Sequence, residues 1–130
     1  MGIPRYSVAL VSGSIFILFV DDAAFAHAAA RSFESVGMRA VLALGSMAAF
    51  DAFDGDEIDV VVTDIKLPAR EPQSSALARM IRNRSPRVPI ILMSAHSELL
   101  GKDVISPDTV LCKPLEIAQL CRAIRVRQTQ

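Results

Sequence analysis

Residues 15 to 22 read IFILFVDD, six apolar side chains in a row and then two carboxylates. The run is rich in β-formers and shows no apolar–polar alternation, so it suits a parallel strand buried on both faces rather than one with a wet side. The next stretch fits a crossover: residues 23 to 36 are Ala-rich and helical in pattern, and Gly37 stands where a left-handed helix cap belongs. Residues 39 to 44 can form a second strand. Ser46 is then expected to cap a short helix with Met47, Phe50 and Phe53 on one side.

The alternation continues to the end of the chain. Asp54-Gly55-Asp56 is a turn signal before a third strand at residues 58 to 63 (IDVVVT). A loop at 68 to 72 leads to a helix that Ser74 can cap and that runs through Arg84, with Leu77, Met80 and Ile81 at helical spacing. Residues 88 to 93 (VPIILM) read as a fourth strand, and residues 109 to 112 as a short fifth. Between them lies a weak segment interrupted by Gly101 and Pro107. Residues 115 to 127 form a final amphipathic helix with Leu120, Ala123 and Ile124 inward. Five strands alternating with helices imply an α/β fold, a parallel sheet covered on both faces.

Bulk properties agree with one domain. The chain has 130 residues, and at 52% hydrophobic it can bury a proper core. We assign residues 15–127 to that domain, 1–14 to a leader open to disorder and 128–130 to a tail. Fourteen basic and fourteen acidic side chains balance to zero, which argues against an electrostatic nucleic-acid binder and for a protein or small-ligand partner. Cys112 and Cys121 have no zinc-type spacing and make no disulfide framework, so both are expected in or near the core of a cytoplasmic protein. Residues 8 to 20 are too short to span a membrane. Together with AFAHA just beyond them they imitate a signal peptide, but Asp21 and Asp22 would fall before the cleavage site. Tyr6 sits where a myristoylation pattern needs Ser or Thr.

The polar residues are informative by position. Asp21 and Asp22 come after strand one, Asp64 after strand three, Ser94 after strand four and Lys113 after strand five. In an open α/β sheet, ligands bind outside the carboxyl ends of the strands, so these residues should converge on one crevice. Three carboxylates together repel one another unless a cation compensates, and magnesium suits such oxygen donors. Asp64 could then act as a nucleophile towards phosphorus, with Lys113 and Ser94 facing phosphoryl oxygens. Taken singly, each residue has a plainer reading. Asp21 and Asp22 could cap a helix, Asp64 and Ser94 could be turn residues, and Lys113 a solvated charge.

Four pieces in order, FVDD (19–22), VVVTDIKLP (60–68), ILMSAH (91–96) and CKP (112–114), give the chain a resemblance to the receiver domains of two-component response regulators over about residues 15 to 127. The resemblance implies a doubly wound, flavodoxin-like sheet of strand order 2-1-3-4-5. It makes Asp64 the phosphoacceptor. Asp21, Asp22, Asp64 and the backbone carbonyl of Lys66 become magnesium ligands, Ser94 and Lys113 the phosphoryl-binding pair, and Lys66 and His96 the residues that tune dephosphorylation. A cis bond is implied before Pro114. The implied donor is a histidine kinase or phosphotransfer protein and the recipient a protein not named by the sequence, with no nucleic acid, no membrane and no enzymatic turnover beyond self-catalysed aspartyl phosphorylation and dephosphorylation.

Three departures concern the output side. Val110 stands where the family usually has an aromatic switch residue, the fourth helix is expected to be short, irregular or missing, and the loop after Pro68 lacks a glycine. A pseudo-receiver that works without phosphate is therefore the alternative. An aspartate-nucleophile phosphatase would want its two aspartates one residue apart after strand one, and a nucleotide binder a Gly- or Ser/Thr-rich loop there. Asp21-Asp22-Ala23-Ala24 is neither. His27 is expected at the surface, His96 at the site rim, and Arg79, Arg82, Arg84 and Arg87 at a solvated helix end.

Overall fold

The computed structural model describes residues 15–21, 23–54, 57–64, 73–94, 109–113 and 116–128. In chain order these form β1 (Phe16–Val20), α1 (Ala23–Ser35), β2 (Arg39–Ala43), α2 (Ser46–Ala52), β3 (Val60–Asp64), α3 (Ser74–Arg84), β4 (Ile90–Ser94), β5 (Thr109–Cys112) and α4 (Ile117–Gln128). All strands are parallel, in the order β2-β1-β3-β4-β5. This is the doubly wound arrangement expected. The segment of the expected irregular fourth helix, the leader and Pro114 lie outside the described residues.

The continuous apolar strands are buried on both faces because each face carries its own core. One side of β1 sends Phe16, Leu18 and Val20 into a cluster with Val61, Leu77, Ile81, Ile90 and Leu92, under α2 and α3. The other side sends Ile17 and Phe19 into a cluster with Phe33, Val62, Ile91, Leu120 and Ile124, under α1 and α4. Asp59 fixes the start of the sheet. Its carboxylate accepts the Phe16 N–H at 2.8 Å, while its own N–H donates to the Phe16 carbonyl at 2.8 Å.

Helix α1 ends as its sequence indicates. Gly37 has φ +82, the Met38 N–H donates to the Phe33 carbonyl at 2.9 Å, and the Gly37 N–H to the Glu34 carbonyl at 3.1 Å. This pair of bonds is a Schellman closure, with Met38 and Phe33 both buried.

Several local expectations need correction. Gly45 and Gln73, not Ser46 and Ser74, cap α2 and α3, because their carbonyls already accept the first helical bonds, from Ala49 and Leu77 (both 3.0 Å). Helix α2 therefore turns Ser46, Ala49 and Phe53 inward and leaves Met47 at 51% exposure. Strands β3 and β4 include Asp64 and Ser94 as their last residues rather than stopping before them, since the parallel ladder runs on through Asp64↔Met93 and Ser94↔Cys112. Cys112 is exposed on the edge strand β5, while Cys121 is buried.

Candidate functional site at the carboxyl ends of the strands

Strand register builds the site. Val20 pairs with Thr63, so the residue after each, Asp21 and Asp64, emerge side by side at the end of neighbouring strands. Ser94 pairs with Cys112, which brings Lys113 to the same rim. Two backbone bonds hold the ends in line: the Asp21 N–H donates to the Ala43 carbonyl at 3.2 Å, and the Lys113 N–H to the Ser94 carbonyl at 2.7 Å.

The Lys113 ammonium closes the arrangement across 92 positions of sequence. It donates to Asp21 Oδ2 at 2.9 Å and lies 3.4 Å from Asp64 Oδ2. Asp21 is almost fully buried, whereas the side chains of Asp64 and Lys113 are 20% and 24% exposed. The nucleophile candidate and the ammonium are thus open to solvent and the second carboxylate is not. Burial works against the charged form of Lys113. The hydrogen bond and charge of Asp21, joined by those of Asp64, outweigh it and hold the ammonium above the ordinary lysine range.

Ser94 is fully buried at the end of β4, and the Thr63 hydroxyl donates to the Asp64 carbonyl at 3.0 Å. Val110 is half-buried against the cluster that includes Leu92, so it occupies the sheet face beneath α2 and α3 rather than the site. Asp22, Lys66 and His96 lie outside the described residues. His27 is exposed on α1, and Arg79, Arg84 and Arg87 are exposed on α3 or just beyond it, as expected, whereas Arg82 is half-buried and donates to the Pro86 carbonyl at 3.3 Å. Phe25 is not among the residues the sequence singles out, yet its ring centroid lies 5.3 Å from Lys113 Nζ. Its only sequence signal is spacing, four residues and so about one helical turn beyond Asp21.

Asp21 and Asp64 offer hard oxygen donors beside one another, the donor type magnesium prefers with several retained waters. Among the described residues no group of three His, Cys, Asp or Glu gathers to hold a metal; the third expected carboxylate, Asp22, is outside them. The donor chemistry fits the ion. No helix among the described residues is long and apolar enough to cross a membrane.

The family model described as "Response regulator receiver domain" matches residues 17–125. Among curated proteins, the DNA-binding transcriptional regulator NtrC of Klebsiella pneumoniae is 29% identical over 79 residues, 61% of this chain. The match spans 16% of that regulator's length. Among solved structures, a response regulator receiver protein from Sinorhizobium medicae WSM419 is 27% identical with a TM-score of 0.77, covering 90% of this chain and 96% of its own. The receiver domain of sensor histidine kinase PA1611 from Pseudomonas aeruginosa PAO1, solved with a magnesium ion coordinated in the active site cleft, shares the fold at TM-score 0.77 and 22% identity. The alignment covers 91% of this chain and all of that one.

Proposed function

The chain belongs to the response regulator receiver domain family of two-component systems, and from that premise we propose that Asp64 accepts a phosphoryl group from a phosphohistidine donor, with magnesium held by Asp21, Asp22, Asp64 and the Lys66 carbonyl. The observation that carries this reading is the Lys113 ammonium set 2.9 Å from Asp21 and 3.4 Å from Asp64, a cation poised beside a partly open carboxylate. In the reaction an Asp64 carboxylate oxygen forms the new O–P bond. The P–N bond to the donor imidazole breaks, and its electron pair leaves on that nitrogen. Lys113 pairs with a phosphoryl oxygen as charge gathers there, and the Ser94 hydroxyl turns to donate to another. A bound magnesium ion would supply neutralisation of phosphoryl charge.

Hydrolysis of the acyl phosphate resets the domain, with Lys66 and His96 setting its lifetime. The chain turns over no other substrate in this reading. It works in the cytoplasm, taking phosphoryl groups from a histidine kinase or phosphotransfer protein and signalling by contact with a protein. Its balance of charge gives no net attraction to nucleic acid. A pseudo-receiver is the second reading, favoured by Val110, a small half-buried side chain packed against the core cluster in place of the family's usual aromatic.

Intact-mass spectrometry after incubation with acetyl phosphate separates the two. One phosphoryl group added to the folded protein, dependent on magnesium and absent from Asp64→Ala, is the expected outcome. No addition under any condition would leave the pseudo-receiver.

A further inference from the structure

Lys113 carries its charge on a flexible, partly exposed four-carbon stem, so its two ion pairs do not by themselves fix where the ammonium sits. A third neighbour is Phe25, whose ring centroid lies 5.3 Å from Nζ, within reach of a cation–π contact. That ring is itself held. It leans on Phe19, centroids 5.8 Å apart at 40°, and Phe19 meets Phe33 edge-on at 5.7 Å. Phe19 and Phe33 are fully buried, Phe19 in β1 and Phe33 near the end of α1. Three rings therefore lead from the core to the ammonium, on the same strand and helix that flank Asp21.

We propose that Phe25 is a positioning residue, its ring holding the Lys113 ammonium between Asp21 and Asp64. For the rate of phosphoryl acceptance this rests on the function proposed above; the placement of the ammonium does not. An aromatic face beside the ammonium restricts the lysine stem, so that the charge meets the incoming phosphoryl oxygen without a search among rotamers. A leucine or methionine could fill the same space in the core but offers no quadrupole to a cation.

The test uses Phe25→Leu, Phe25→Met and Phe25→Tyr in the full chain, each read two ways. Nitrogen-15 relaxation of the Lys113 ammonium reports how firmly it is held, and intact mass after acetyl phosphate with magnesium reports the phosphorylation rate. We expect the order parameter of the Lys113 ammonium to fall in both aliphatic variants, with the rate falling by about two- to fivefold, the size of one exposed cation–π contact. Phe25→Tyr restores both. An ammonium as ordered in the aliphatic variants as in the parent overturns the proposal, as do rates equal to the parent's, or a tyrosine variant as slow as the leucine one. If the parent protein takes up no phosphoryl group, the proposed function fails on its own, and the resonance arm still decides whether Phe25 places the ammonium.

Discussion

Lys113 is the residue on which charge at the site turns. Replacing it by methionine leaves Asp21 buried beside Asp64 with no ammonium between them. A buried charged acceptor that loses a hydrogen-bonding cation costs about 1–3 kcal/mol, so Lys113→Met should be less stable by that amount in urea denaturation near neutral pH. The pH dependence has a definite sign. The folded-state value of Lys113 lies above the ordinary 10.5, so its contribution is complete below 10.5 and is lost as pH rises through the raised value. The stability difference between parent and variant should therefore hold from neutrality to about pH 10 and shrink above it. A difference that grows on going alkaline would contradict the ion-pair geometry. At this scale the sequence was legible where a polar residue ended an apolar run, as for Asp21, Asp64 and Lys113. It was silent on Phe25, because an aromatic in an apolar helix looks like core until the fold sets it beside a cation. Cys112 misled for the opposite reason: an apolar strand residue becomes exposed when its strand is the edge of the sheet.

Elements were legible in kind and less so at their ends. Largely apolar stretches marked all five strands, but Asp64 and Ser94 fell inside theirs because register with a neighbour, not polarity, decides where a parallel ladder stops. Helix starts slipped by one residue for a similar reason. A serine looks like a cap in sequence, whereas the cap is whichever carbonyl accepts the first helical bond, here those of Gly45 and Gln73. The end of α1 was readable because only a residue tolerant of positive φ closes a Schellman turn. At Gly37 nothing lies within 4 Å of an added Cβ, so the cost of Gly37→Ala is conformational rather than a clash. We expect it to destabilise by about 1 kcal/mol in urea denaturation, with Gly37→Asn milder. An alanine variant more stable than the parent would remove the left-handed cap from the account.

At the scale of the whole molecule, the described residues form a sheet between two cores, and β1 belongs to both. Leu18, on the interior strand β1, is fully buried in one of them. Leu18→Ala should cost about 2–5 kcal/mol in chemical denaturation, a large part of the roughly 5–15 kcal/mol typical of a domain. A loss below about 1 kcal/mol would mean that this face repacks far more easily than a close-packed core allows. Global topology and the convergence of Asp21, Asp64 and Lys113 arise from one fact, that parallel strands end on the same side. The output side was the least legible, since Val110 is informative only by what it is not. The central claim is that Asp64 is the residue that carries the phosphoryl group. Borohydride reduction of protein treated with acetyl phosphate and magnesium, with peptide sequencing in a mass spectrometer afterwards, tests it most directly, because reduction of an aspartyl phosphate leaves homoserine at the modified position. The account predicts homoserine at position 64 and nowhere else; homoserine at position 21 or 22, or at none, would contradict it.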